Sequence, residues 1–274
     1  MNYLNLVGRV CREFDVSNSK QMRTVQKVKE NQSRDVVTQL DTELHAISER
    51  FVTEWLPGCR LLSEEGVNDG FKARQLLEED LLIVDPLDGS HNYSLGLPYY
   101  GYMAAHLQRG SITGAVIVVP AHSQYIVLAD DQCLYAQPLA SGGASDNGTV
   151  YYAYPPQQDT SERQARVALQ ELIDVQSAGM YRYGSACVGL YQLLCKKHMM
   201  FIGHGVRLWD AIAFLPVLAL QGIEVRYCIK GLSITLLAST RADFLERAAK
   251  ILQQQQGLTL HKYFGDDALR VETP

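Results

Sequence analysis

Apolar positions at the start of the chain recur with the period of a helix. Leu4, Val7 and Val10, with Cys11, share one face between Asn2 and Phe14, and Leu40, Leu44, Ile47 and Phe51 share another between Val36 and Leu56. Two opening helices are therefore expected. After Pro57 and Gly58 an apolar run from Arg60 to Ser63 stops at Glu64 and Glu65. A second run, Leu81 to Val84, stops at Asp85 and Pro86, so both read as strands that end in carboxylates. Between Tyr99 and Leu134, Arg109-Gly110, Pro120 and Asp130-Asp131 punctuate three or four strands of an antiparallel sheet.

Further along, the pattern alternates. Helical periods at Ser161 to Ile173, Ala186 to Lys196, Leu208 to Gln221 and Ala242 to Gln254 are interleaved with short apolar strands near Val175, Met199, Ile223 and Ile234. That alternation is the mark of a layered α/β unit. The Gly/Ser/Asn-rich stretch Ser141 to Gly148 is the candidate linker. The chain thus reads as an N-terminal α+β half, 1–145, and a C-terminal α/β half, 146–274.

Composition narrows the class without naming a chemistry. With 274 residues, 47% hydrophobic and 20% charged, the chain is neither disordered nor collagenous nor a coiled coil. Its 30 acidic residues outnumber 25 basic ones and no basic run of five occurs, which argues against a nucleic-acid polymer as partner. Six cysteines at 11, 59, 133, 187, 195 and 228 lack CxxC spacing and read as reduced thiols. The longest apolar run, Ala211 to Leu220, has ten residues, half of the roughly 20 that a membrane span needs. A cytoplasmic protein without membrane contact is expected.

The densest chemical signal is Asp85-Pro86-Leu87-Asp88-Gly89-Ser90-His91-Asn92, directly after a buried strand. Pro86 fixes its own φ, Gly89 permits a tight turn, and two carboxylates three residues apart can converge at the strand end. Taken singly, such a turn is usually capping or solvation. Glu64 and Glu65 read as a solvated loop, and Asp210 after Trp209 as a first-turn acid. As a set they point to an oxygen-only site for a hard divalent cation.

SEEG at 63–66, DPLDGSHN at 85–92 and WDAIAF at 209–214 resemble the Glu-Glu pair, DPxDGTxN and WDxAAG of the inositol monophosphatase superfamily. Asp35-Val36-Val37-Thr38 with Asp41 is similar to that family's DLVTxxD, and Arg182-Tyr183-Gly184-Ser185-Ala186 to its GSAA-containing stretch. The resemblance covers most of the chain. It implies an αβαβα layered sandwich of the inositol monophosphatase and fructose-1,6-bisphosphatase type, and a homodimer. It also implies a Mg²⁺-dependent phosphatase acting on a small phosphorylated metabolite. Glu64, Asp85, the Leu87 carbonyl, Asp88 and Asp210 would hold two or three Mg²⁺ ions, for which Mn²⁺ could substitute. Asp41, Glu64 and Ser90 would orient and deprotonate water for in-line attack. The backbone N–H groups of Gly89 and Ser90 would hold phosphate. Arg182, Ser185, Ala186, His204 and Arg207 would surround the leaving group. Electrostatics agrees independently, because two like charges about 4 Å apart repel by about 4 kcal/mol at an effective dielectric near 20, so converging carboxylates need cations or protons between them.

Departures from the pattern bear on the substrate. Relatives that hydrolyse inositol phosphates carry a Glu about seven residues before the distal Asp, where this chain has Gly203 and His204. The positive balance around the leaving group suits a second phosphate, so a 3'-phosphoadenosine nucleotidase is the alternative enzyme. Ile212 and Phe214 are bulkier than the family's Ala and Gly, which predicts a repositioned Asp210 and motivates a third reading, a catalytically weak binding or regulatory protein. His45, His106, His122 and His198 are scattered, and Tyr93, Tyr99, Tyr100 and Tyr102 read as packing residues.

Overall fold

A computed structural model describes residues 3–20, 24–28, 36–66, 68, 70–139, 148–155, 159–265 and 268–272. Of the expected linker Ser141 to Gly148, all but Gly148 lies outside these, with the position near 145, as does Asp35. In chain order the first elements are α1 (Tyr3–Lys20), β1 (Val25–Val28), β2 (Val36–Thr38), α2 (Gln39–Trp55), β3 (Arg60–Ser63), α3 (Gln75–Glu78), β4 (Asp80–Asp88), α4 (Ser90–Ser94), β5 (Gly101–Gln108), β6 (Ser111–Val119), β7 (Gln124–Ala129) and β8 (Gln132–Tyr135). They are followed by β9 (Thr149–Ala153), α5 (Thr160–Gln176), β10 (Gly179–Tyr181), α6 (Ala186–Leu194), β11 (Met200–Arg207), α7 (Phe214–Leu220), β12 (Glu224–Lys230), β13 (Ser233–Ser239), α8 (Ala242–Gln256), β14 (His261–Tyr263) and β15 (Val271–Glu272).

Five layers result. One sheet runs β3-β4-β5-β6-β7-β8, with β3 parallel to β4 and every later pair antiparallel. The other runs β10-β9-β11-β13-β12-β14, parallel at β10-β9-β11 and antiparallel from there to β14. Strand alternation sorts each sheet's two faces. On β4, Leu82 and Val84 pack under Leu6, Leu44 and Phe51 of α1 and α2, while Leu81 and Ile83 turn to Leu190, Leu215 and Leu218 of α6 and α7. On β11, Phe201 joins that central layer, and Met200 and Ile202 face Leu169 and Leu245 of α5 and α8. The order helix, sheet, helix, sheet, helix is the expected αβαβα sandwich. Among the described residues no helix is long and apolar enough to cross a membrane.

Local chemistry moved some boundaries. The helix expected from Val36 begins at Gln39, because Val36–Thr38 pairs with β1 and Thr38 caps the helix by donating its N–H and Oγ–H to Asp41 at 2.8 and 2.6 Å. No strand forms at Val175. It lies in the last turn of α5, 74% exposed, and the strand begins at Gly179. The helix expected over Leu208 to Gln221 is broken into a 3₁₀ turn, Leu208–Asp210, and a short α7. Pro216 stands at the third position of α7, where an N–H would have no intrahelical partner. Ile212 and Phe214, both fully buried, occupy the central layer at that break.

Candidate active site

β3 and β4 run side by side and deliver their acids to one end of the sheet, where the Glu64 N–H donates to the Val84 carbonyl at 3.1 Å. Past Asp85 the register with β5 slips until Asp88 pairs with Gly101, so the strand bulges through Pro86 and Leu87. Gly89 then takes φ +86°, and a Cβ there would stand 2.5 Å from the Tyr99 carbonyl oxygen. Only glycine fits that turn. α4 starts at Ser90, which packs α4 against the entry to α2.

Ser90 and Asp41 meet. The Ser90 Oγ lies 2.6 Å from Asp41 Oδ1 and 2.7 Å from the Leu87 carbonyl oxygen, so its single proton serves one acceptor at a time. Burial pushes Asp41 up to about 6, against the lowering effect of hydrogen bonds from Ser90 and Thr38. Asp88 is likewise pushed up to about 6 by burial, although the α6 N-terminus grips it. Ser185 Oγ and the Cys187 N–H, at 2.8 Å, donate to one carboxylate oxygen, and the Ala186 N–H donates to the other at 3.1 Å. Asp85 and Asp210 stand well above the usual carboxylate range. Burial is the largest cause for both, followed by Glu64 and then Asp88 for Asp85, and by Asp88 and then Glu64 for Asp210. Asp210 closes the 3₁₀ turn after β11 and accepts the Arg207 N–H at 3.1 Å.

Two cavities of about 520 and 570 Å³ share Glu64, Asp88, Arg182, Gly184, Arg207 and Asp210. The larger continues to Asp85, Leu87, Gly89 and Ser90, the smaller to Tyr154, Pro155, Ser185 and Ala186. Ser185 and Ala186 line the smaller cavity, and their hydrogen bonds go to Asp88. His204 does not line it. Alternation along β11 puts His204 on the outer face with Met200 and Ile202, where Nδ1 lies 3.1 Å from the Tyr152 hydroxyl and Nε2 2.7 Å from Gln256 Oε1. Gly205 takes its place at the cavity wall. Tyr154 and Asn92 were not singled out from sequence. Tyr154 falls on the alternation Tyr152, Tyr154 that continues β9, and Asn92 closes the acidic motif, donating from Nδ2 to the Tyr99 and Tyr183 carbonyls at 2.8 and 2.7 Å.

Among the described residues no three His, Cys, Asp or Glu side chains stand in an arrangement that would hold a metal ion as they lie. Hydrogen bonds from Thr38, from the N-terminus of α6 and from the Arg207 N–H hold Asp41, Asp88 and Asp210. The donor chemistry nevertheless fits a hard divalent cation: every donor is oxygen, and the buried Asp85 Oδ1 has no hydrogen-bond partner.

Comparison with known proteins agrees with this architecture. The model of the inositol monophosphatase family matches residues 9–256. The Nus factor SuhB of Xylella fastidiosa is 26% identical over 160 residues, a match spanning 57% of this chain and 56% of that relative. The inositol-1-monophosphatase of Mycobacterium bovis is 25% identical over 265 residues, 92% of this chain and 89% of the relative. A crystal structure of an IMPase/NADP phosphatase complexed with Mg²⁺ and phosphate superposes with a TM-score of 0.70 at 15% identity, covering 93% of this chain and 96% of that one. Fold and site together define a layered αβαβα protein with an acid cluster at the end of its first sheet. The chain belongs to the inositol monophosphatase family.

Proposed function

We propose that the protein is a divalent-metal-dependent phosphomonoesterase. The observation that carries this reading is the buried Asp85 carboxylate, with one oxygen unpartnered and Glu64, Asp88 and Asp210 close enough to raise its proton affinity. Glu64, Asp85, the Leu87 carbonyl, Asp88 and Asp210 would hold Mg²⁺. Bound there, Mg²⁺ supplies charge neutralisation for the phosphate and a lowered pKa for water. Asp41 holds Ser90 so that its hydroxyl oxygen accepts from the attacking water while its proton points to the carboxylate. The N–H groups of Gly89 and Ser90 bind phosphate oxygens. One water is consumed: its oxygen bonds to phosphorus, the ester P–O bond breaks, and one of its protons ends on the leaving oxygen. A homodimer is part of the reading, by family resemblance, and light scattering checks it.

Phosphate release from inositol 1-phosphate, histidinol phosphate, fructose 1,6-bisphosphate and adenosine 3',5'-bisphosphate, with Mg²⁺ and with EDTA, tests the activity. Release from one of them that EDTA abolishes is the expected result. Absence of release from all four, with Mg²⁺ binding intact, favours the second reading, a binding protein of the same fold. That reading has its own support, since both oxygens of Asp88 are already engaged by α6 and two relatives carry the name Nus factor.

A further inference from the structure

We infer that His45 is a positioning residue: through Ser63 it fixes the turn that presents Glu64 to the acid cluster, and so ties that acid to the same helix that carries Asp41. This rests on the phosphomonoesterase reading above and adds a residue to the frame of its site.

β3 is the edge of its sheet, four residues long, with β4 as its one neighbour, so the sheet braces the turn beyond it from one side only. The bond from the Glu64 N–H to the Val84 carbonyl is that brace. Within the turn, the Ser63 carbonyl accepts the Gly66 N–H at 3.0 Å and Asn68 Nδ2 at 2.7 Å. The tie from outside the sheet comes from α2, where His45 Nδ1 lies 2.9 Å from Ser63 Oγ. Alternation makes this contact available. Leu61 and Ser63 turn to the α1 and α2 layer, and Leu62 and Glu64 turn to the central layer and its cavities. Ser63 is 1% exposed, and among the described residues His45 is the one partner of its hydroxyl. Losing that partner would leave a buried polar group unpaired. The other ring nitrogen, Nε2, stands 3.4 Å from Oε1 of the exposed Glu49, a looser contact that solvent screens.

Asp41 and His45 lie one turn apart on a single face of α2. Asp41 holds Ser90 at 2.6 Å, and His45 holds Ser63 at 2.9 Å. Four residues of helix set these two holds about 6 Å apart along the axis. One rigid element therefore spaces the water-orienting pair from Glu64. Outer-shell partners that orient a ligand in this way change metal affinity or activity by about 10–100-fold when they are removed.

The test uses His45→Ala, His45→Asn and His45→Gln. Asn places its amide where Nδ1 stands and Gln where Nε2 stands, and an amide can either donate to Ser63 or accept from it. The Mg²⁺ midpoint is read from the Mg²⁺ dependence of the thermal melt, and kcat and KM from whichever of the four phosphate esters above is hydrolysed. His45→Ala and His45→Gln should each raise the Mg²⁺ midpoint about tenfold and lower kcat at saturating Mg²⁺ about tenfold, with KM within about twofold of wild type. His45→Asn should restore both to within about threefold. A residue that served packing alone would lower the Tm in EDTA in all three variants and leave the Mg²⁺ midpoint where it was. A Mg²⁺ midpoint and kcat unmoved in folded His45→Ala, or Gln restoring them as well as Asn does, would overturn the inference. Should His45→Ala fail to fold, the contrast between Asn and Gln carries the same decision. If no ester is hydrolysed, the phosphomonoesterase reading fails on its own and the Mg²⁺ midpoints still decide the role of His45. A wild-type melt that ignores Mg²⁺ overturns it too, since Glu64 would then have no ion to meet.

Discussion

The acids of this site gain their chemistry from where the backbone leaves them. Asp41, drawn from the first turn of α2, is held by Thr38 and Ser90, yet burial keeps its proton affinity near about 6. Ser90→Ala removes the hydroxyl that lowers that value and accepts from water. Turnover should fall about 10²-fold or more, and the acid limb of the pH–rate profile should move to higher pH. A profile unchanged in both respects would remove Ser90 from the machinery. The acids also set a sign for stability. Asp41, Asp85, Asp88 and Asp210 all bind protons more tightly when folded than in an unfolded chain. The folded state therefore holds more protons above the ordinary carboxylate range, and metal-free stability falls as pH rises from about 4 through about 6. Thermal melts in EDTA between about pH 5 and pH 8 should show a falling Tm, and a rising one would contradict these shifts.

At the scale of elements, two turns place everything. The β4–α4 turn depends on Gly89, whose αL backbone sits against the Tyr99 carbonyl. Gly89→Ala adds αL strain of about 1–2 kcal/mol to a backbone clash, so urea unfolding should show a loss of at least about 2 kcal/mol together with lost activity. The β11–α7 turn depends on packing. Phe214→Ala, in the fully buried central layer, should cost about 3–5 kcal/mol. These turns also mark what the sequence could and could not reveal. Glu64, Asp85 and Asp88 were legible because a hydrophobic run stops at each acid-bearing turn, a local signal. The break after Asp210 was not, because Ile212 and Phe214 continue a helical period that only tertiary packing overrides. The Thr38 cap was likewise hidden inside an apolar pattern that runs on into α2.

For the whole molecule, the family motifs conveyed the layer order, and alternation along β4 and β11 realises it by sending successive side chains to different layers. The fate of His204 was not legible. His204 shares the outward face of Met200 and Ile202 on β11, and one extra residue between Gly203 and Val206 then returns Val206 to the central layer, an insertion that leaves no mark on composition. That alternation keeps His204 out of the chamber beside the acid cluster, whose walls carry Arg182 and Arg207 together with Glu64, Asp88, Glu162 and Asp210. The central claim, that the buried acids form a hard-cation site, is most directly tested by Mg²⁺ titration of the thermal melt in wild type and Asp85→Asn. Ligand binding to the folded state alone raises Tm, by an amount that grows with the logarithm of ligand concentration above Kd. Wild type should gain stability with Mg²⁺. Asp85→Asn, relieved of one buried charge, should melt higher than wild type in EDTA and gain nothing from Mg²⁺. A wild-type protein indifferent to Mg²⁺, or a variant that responds as wild type does, would contradict the assignment.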